Sequence, residues 1–272
     1  MKKIDCKRDD IELYVLSAGT YSADAGAAMG VYPYKLWYDK VELDENYCIR
    51  MGLNCLLIKT ADANILVDTG IGDCTSDRQK KIYKPSKSTL LEELNTVGLD
   101  NDDIDIIVFT HLHHDHAGGI LNENKELIFK NAKYIIQKIE FETALHPDLL
   151  NMAAYSLVDH YKMLSENAVV ELIGGTKEIH SGIWIEKIEG HSLGMQLVKI
   201  VDDDNVIYFA GDAFPSKFHL PPAITSAYEL SRKDLYFNKE KIITDLKECG
   251  GKLILSHDRE EAVVEFQLTI DN

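Results

Sequence analysis

The chain has no CxxC pair, and its five cysteines (Cys6, Cys48, Cys55, Cys74 and Cys249) are widely spaced and odd in number. A disulfide framework is therefore not expected; the pattern reads as thiols kept reduced, which points to the cytoplasm. Long apolar runs are also missing. No stretch approaches the roughly 20 apolar residues that a membrane helix needs, so no membrane span is expected. Met1-Lys2-Lys3-Ile4-Asp5-Cys6 has two lysines and no apolar segment behind them, so no secretory signal is expected either. Basic residues are scarce: 29 Lys and Arg stand against 45 Asp and Glu, a net charge of −16. That excludes a nucleic-acid partner as the leading expectation, because phosphate binding needs clustered Lys and Arg. It does not weigh against a small neutral substrate, and the sum omits the positive charge of any bound metal.

With 272 residues, 45% of them hydrophobic and 27% charged, the sequence is that of a globular protein able to bury a large core. Its most informative stretch is Thr110-His111-Leu112-His113-His114-Asp115-His116-Ala117-Gly118-Gly119. Four of the ten histidines fall within six residues there, with a carboxylate among them. Imidazole and carboxylate together suit zinc, iron or manganese. The preceding Ile104-Asp105-Ile106-Ile107-Val108-Phe109 reads as a buried strand, so the cluster lies where a strand gives way to a loop. Open α/β sheets place their chemistry there. The glycine pair is expected to let the backbone turn close to a bound ion.

Read in order, residues 11–17 alternate as a first strand. Residues 19–46 lack periodicity and carry Tyr21, Tyr32, Tyr34, Trp37 and Tyr38, an aromatic insertion suited to covering a substrate. Leu53–Thr60 and Asn64–Val67 form a hairpin about Ala61-Asp62-Ala63, and the second strand runs into Asp68-Thr69-Gly70. Asp68 is expected to orient a ligand histidine from outside the metal sphere. Thr89-Leu90-Leu91-Glu92 has the spacing of a capping box opening a helix that Gly98 stops. Residues 133–137 read as a strand, and 138–145 and 149–165 as helices, with His146 and His160 on their surfaces or between them. Strands at 169–173 and 183–188 follow, then a hairpin of 195–201 and 206–210, a polar and aromatic segment 213–237, a helix near 238–248, and a strand 252–256 leading to His257.

The two halves rhyme. Asn64–Asp68 is a strand ending in Asp, followed by a helix and a strand leading to His111; Val206–Asp212 is a strand ending in Asp, followed by a helix and a strand leading to His257. This suggests two β-rich layers face to face with helices outside and both active edges together, a single α/β domain over 1–272.

His111 and His113 are two residues apart and can turn to one ion, whereas Asp115 and His116 suit a second. His191, Asp212 and His257 each end a strong strand and complete a plausible set. His111, His113 and His191 would hold one metal, Asp115, His116 and His257 the other, and Asp212 would span both. His114 is expected to point away from the metals. Two divalent ions, zinc first with Fe2+ or Mn2+ as alternatives, would lower the pKa of a shared water to give a bridging hydroxide near neutral pH. That hydroxide would attack a carbonyl or phosphoryl centre, with Asp115 carrying the proton. The scheme requires no Ser or Cys nucleophile.

His111-x-His113-x-Asp115-His116 followed by His191, Asp212 and His257 resembles the metallo-β-lactamase superfamily, and Leu66-Val67-Asp68-Thr69-Gly70 and Gly190-His191-Ser192 fit the same pattern. The match spans about residues 50–260 and implies a four-layer αββα sandwich with a dinuclear site at one edge, held by the seven residues above. Met29–Trp37, Asn54-Cys55-Leu56-Leu57-Ile58 and Gly211–Pro215 with His219-Leu220 and Ala227-Tyr228 resemble the quorum-quenching lactonase-like branch, whose members open the lactone ring of N-acyl homoserine lactones. Some of those enzymes use a tyrosine three residues after the bridging Asp to assist the substrate carbonyl. Pro215 stands there in this chain, so the resemblance leaves Tyr228 or His219 as substitutes, with Tyr228 preferred.

The leading expectation is thus a metal-dependent hydrolase acting on a lactone or similar ester. It has a small-molecule substrate and no nucleic-acid or membrane partner; homodimerisation is left open. Thioester, phosphodiester and β-lactam hydrolysis share the same metal core. A di-iron redox protein would place Glu at the position of His113 and add a flavin domain; neither is present. A non-catalytic binding module would not need so complete a ligand set.

Overall fold

The structure is a computed structural model that describes residues 1–268. Two sheets follow the chain in sequence. The first takes β1 (Lys2–Ile4), β2 (Glu12–Asp24), β3 (Cys48–Lys59), β4 (Asn64–Val67), β5 (Ile106–Val108), β6 (Lys133–Gln137) and β7 (Val169–Ile173) side by side in that order. The second takes β8 (Lys177–His180), β9 (Ile183–Lys187), β10 (Gln196–Asp202), β11 (Asn205–Phe209), β12 (Gly251–Ile254) and β13 (Val263–Phe266). The helices are α1 (Ala25–Met29), α2 (Asp77–Tyr83), α3 (Leu90–Thr96), α4 (His114–Ala117), α5 (Lys138–Leu145), α6 (Val158–Asn167) and α7 (Arg232–Cys249).

Strand alternation sorts the apolar side chains into three layers. Leu13 and Val15 of β2, Leu56 and Ile58 of β3, and Ile65 and Val67 of β4 face Val198, Ile200, Ile207, Phe209 and Ile254 of the second sheet. The intervening Tyr14, Leu16, Cys55, Leu57 and Leu66 point the other way, onto Leu90 and Leu94 of α3, Phe141 of α5 and Tyr161 and Leu164 of α6. On the far side, Leu197, Tyr208 and Leu253 pack on Leu235, Ile242 and Leu246 of α7. The result is the αββα sandwich. Phe209 sits at its centre, wholly buried, so its truncation to Ala would cost about 3–5 kcal/mol.

The internal rhyme corresponds to parallel pairing. β4 lies parallel to β5, and β11 to β12, so Asp68 and His111 leave one sheet at the same edge where Asp212 and His257 leave the other. The remaining departures are local. β2 continues to Asp24 through a bulge between Ser17 and Thr20, where Gly19 adopts φ +111°, so residues 19–24 belong to the sheet and the aromatic insertion starts at α1. Thr89 does not cap α3; its hydroxyl donates to Ser17 O at 2.6 Å. A capping box forms instead at Ser76 and Gln79, which open the unanticipated α2. Residues 149–157 are turn rather than helix, α7 begins at Arg232 rather than near 238, and β8 and β13 escape periodicity because these short edge strands bury few of their residues. Gly118 and Gly119 lie against the backbone of the Asp68 loop: a Cβ on Gly119 would fall 2.2 Å from Thr69 O. Close chain packing, and not a turn toward an ion, explains that pair.

Candidate metal centre

Ligand-type atoms of His111, His113 and His191 lie within 4.8 Å of one another, as do those of Asp115, His116, Asp212 and His257. All seven expected residues therefore converge. Asp212 stands across both groups: Oδ1 is 3.1 Å from His116 Nε2 and 2.9 Å from His257 Nε2, and Oδ2 is 3.5 Å from His191 Nε2.

The donor set fits a pair of divalent cations on grounds of tautomer. Asp68 Oδ2 accepts from His116 Nδ1 at 2.8 Å, and the Gly52 carbonyl accepts from His257 Nδ1 at 2.8 Å. Both Nε2 atoms then turn to each other 3.1 Å apart with Asp212 Oδ1 beside them, a place for a proton or a metal cation. Thr110 Oγ1 donates to Asp68 Oδ2 and so accepts from His111 Nδ1, which leaves the buried Nε2 of His111 without a partner. Glu229 Oε2 accepts from His191 Nδ1 at 2.9 Å, turning the His191 lone pair toward His113. Converging lone pairs in a buried space repel unless a cation sits among them.

Electrostatics agree. Burial, then the neighbouring imidazoles, push His111 and His113 well below the usual histidine range. Burial works against charge on His116, His257 and His191 too, but carboxylates outweigh it. Asp212 with Asp68 raises His116, Asp212 raises His257, and Glu229 raises His191 to about 9. Burial opposes the charge of Asp212, yet His257 and His116 hold its carboxyl well below the usual range. A potential that draws protons onto imidazoles draws metal cations in their place.

The Asp68 carboxylate also accepts from Thr110 N at 2.8 Å, fixing the turn that launches the cluster. Sequence reasoning singled out Asp68 but not two further buried carboxylates. Glu140 of α5 accepts from Leu112 N, Ser192 Oγ, Gly194 N and Tyr155 OH, tying the cluster loop to the His191 loop. Gly190-His191-Ser192-Leu193-Gly194 has GxSxG spacing, so the absence of a nucleophilic serine rests on place and not on the lack of that motif. Here the segment lies between β9 and β10 rather than at a strand-to-helix turn, and Ser192 Oγ is held by Glu140 at 2.7 Å. Glu229 is the other missed carboxylate. Its signal was weak, a single acid in a polar segment.

Around the clusters stand aromatics. The Tyr21 ring meets His257 edge-on at 5.4 Å, and burial followed by the Asp115 charge pushes its phenol well up. Tyr155 packs edge-on to His113 at 4.8 Å. His114 lies outside both groups, as expected, but it is buried, with its ring tilted over Tyr83 at 4.5 Å, and it donates to Ala154 O. Tyr228 is half exposed, and burial with the charges of Asp115 and Asp24 raises its phenol. His219 is 1% exposed with both nitrogens engaged: Nε2 donates to Ala28 O at 3.0 Å and Nδ1 meets Ser216 Oγ at 2.9 Å. The structure thus gives it a staple's place between segment 213–231 and α1, with no free donor for a substrate. Beneath it the fully buried Lys239 Nζ donates to His219 O at 2.7 Å and Ile224 O at 2.6 Å.

Among the described residues no helix is long and apolar enough to cross a membrane, and all five cysteines are free. An αββα sandwich that gathers a three-histidine group and a histidine–aspartate group at one edge is the layout of a metal-dependent hydrolase. The chain belongs to the metallo-beta-lactamase superfamily, whose family model matches residues 50–243. It is 28% identical over 153 residues to an N-acyl homoserine lactonase of Bacillus thuringiensis, covering 52% of this chain and 55% of that one. It thus spans about half the length of the curated relatives it matches. Among solved structures it is similar to a probable metal-dependent hydrolase from Staphylococcus aureus (TM-score 0.88, 26% identity, 97% of this chain and 94% of that one). It also shares the fold of AidC, a dizinc quorum-quenching lactonase (TM-score 0.79, 21% identity, 100% and 95% covered).

Proposed function

We propose that the protein opens the ring of a lactone, with N-acyl homoserine lactones as the first candidates, at a dinuclear zinc centre held by His111, His113 and His191 and by Asp115, His116 and His257, with Asp212 shared. The observation that carries this reading is the placement of Asp212 between the two groups, one oxygen toward each. Bound divalent ions would supply Lewis acidity toward the substrate carbonyl and a water acidified toward hydroxide near neutral pH.

The chain's own residues do the rest. Tyr228, half exposed and within reach of the charges of Asp115 and Asp212, donates its phenolic O–H to the carbonyl oxygen as negative charge builds there. A phenol raised in this way stays protonated and so remains a donor. Asp115 receives the proton of the attacking water and returns it to the ring oxygen as the acyl C–O bond breaks. Tyr21 and Tyr155 wall off two of the histidines from solvent. His219 and Lys239 act on the substrate only by holding segment 213–231 in place. The enzyme works on a small molecule, in the cytoplasm where its thiols stay reduced, and its residues 1–272 act as one domain covered by the aromatic insertion.

The test is a pH-indicator screen of lactones, thioesters, phosphodiesters and β-lactams against protein loaded in turn with zinc, iron and manganese. Acid release from lactones with zinc is expected. Release from phosphodiesters or thioesters alone would replace the substrate class while leaving the hydrolase reading in place. Oxygen consumption by the iron-loaded protein without any hydrolysis would replace both.

A further inference from the structure

Glu229 is attached to two things at once. Its side chain is 1% exposed, although its neighbours Tyr228 and Leu230 face solvent. One carboxylate oxygen accepts from His191 Nδ1 at 2.9 Å, and the other accepts from Ser226 Oγ at 2.6 Å. The Ser226 hydroxyl also accepts from the Tyr228 amide at 3.1 Å, so the carboxylate closes a small ring of contacts beneath the Tyr228 backbone. The same segment is laced to the aromatic insertion, where Val31 N donates to Thr225 O and Ala227 N to Ala27 O.

Three other imidazoles of the centre have acceptors behind them, but those acceptors lie on the sheet or just past a strand end, Thr110 Oγ1 behind His111 coming two residues after β5. Asp68 follows β4, and the Gly52 carbonyl belongs to β3. Glu229 alone reaches its histidine from the irregular segment that presents Tyr228 to the substrate side. A carboxylate behind a ligand imidazole fixes its tautomer and raises its basicity toward a metal. Whatever strengthens that contact must, by reciprocity, also order the segment that supplies the carboxylate.

We propose that Glu229 is a positioning residue that couples metal binding at the His111–His113–His191 group to the order of residues 222–231, and so to the placement of Tyr228. The inference rests on the metal-centre reading given above. Filling that group draws Glu229 onto His191 and settles the segment; displacing the segment weakens the metal.

The experiment uses the full chain in three forms: wild type, Glu229→Gln and Asp68→Asn. Zinc affinity is measured by chelator competition, and amide hydrogen exchange over residues 222–231 is followed with and without zinc. Glu229→Gln keeps the size of the side chain, and an unchanged circular dichroism spectrum with a retained cooperative melt verifies its fold. The expected result is that Glu229→Gln weakens one zinc equivalent by about 10–100-fold and spares the other. Zinc should slow exchange over 222–231 in the wild type and in Asp68→Asn, but not in Glu229→Gln. A purely structural Glu229 would change exchange in the metal-free and zinc-loaded protein equally. Two equivalents bound alike by wild type and Glu229→Gln would overturn the inference alone, as would exchange over 222–231 that ignores zinc in the wild type. A wild type that takes up no metal would overturn the metal-centre reading and this inference with it.

Discussion

His116 Nε2 and His257 Nε2 face each other at 3.1 Å, although each imidazole has committed its Nδ1 proton elsewhere, His116 to Asp68 and His257 to the Gly52 carbonyl. The two come from opposite sheets, so the contact closes the sandwich edge and the Asp115–His116–Asp212–His257 group together. Asp212 Oδ1 lies beside both Nε2 atoms, at 3.1 and 2.9 Å.

That arrangement gives Asp212→Ala a definite phenotype. The variant should keep its circular dichroism spectrum, hold fewer than two metal equivalents, and lose more activity than the about 10–100-fold typical of partners outside the metal sphere. Metal analysis and initial rates on the best substrate check this. Full activity with two equivalents would refute the shared role of Asp212.

Asp68→Asn tests the support behind His116. An amide presents an NH2 where Thr110 Oγ1 and His116 Nδ1 both now donate to Oδ2. The imidazole must then flip its tautomer or lose its partner. Metal affinity at the Asp115–His116–His257 group is expected to fall by about 10–100-fold. Asp68→Ala should also destabilise the fold by about 1–3 kcal/mol, since it strips the buried Thr110 amide of its acceptor. Chelator competition and urea unfolding separate the two effects.

Much of the candidate site was legible because metal-ligating residue types carry their chemistry in the side chain and stand here at strand ends. His191, Asp212 and His257 could each be picked out by a strong strand running into a polar residue. The layers were legible for the same reason: Leu56 and Ile58 alternate with Cys55 and Leu57, and period two marks two buried faces. Supporting residues were not legible. Glu140 sits in an ordinary helical pattern, and only the fold brings Leu112, Tyr155, Ser192 and Gly194 to it. Short elements failed for a related reason. A four-residue strand such as β13 is made by its pairing with β12, not by its own periodicity. The Thr89 reading lost to a tertiary contact, because the Ser17 carbonyl took the hydroxyl that local rules assign to the helix.

Tyr228→Phe removes one oxygen from a half-exposed ring. Stability should stay within about 0.5 kcal/mol, as for surface substitutions. If the phenol donates to the carbonyl oxygen as charge develops, kcat should fall by about 10²-fold or more, with KM little changed. Steady-state kinetics on a lactone decide the matter; an unchanged kcat would return Tyr228 to a packing role and make Tyr21 the next phenol to test.

Lys239 predicts a pH signature in stability. Burial pulls its ammonium down from 10.5 to about 7, with Glu229 only partly opposing, while Nζ donates to the carbonyls of His219 and Ile224 and lies 4.9 Å from the Phe214 ring. The folded value lies below the unfolded one, so between these two pH values the unfolded chain holds a proton that the folded chain lacks. Stability from this group therefore rises with pH across that window, by up to about 1.4 kcal/mol per unit, and its penalty is complete below the folded value. Lys239→Met removes the titration but leaves two carbonyls without their donor. The difference in unfolding free energy, wild type minus variant, should climb as urea titrations move from neutral to alkaline pH. Contributions of the metal ligands are common to both proteins and cancel. A flat difference would mean that the ammonium stays charged in the folded core, held by the two carbonyls and the Phe214 face.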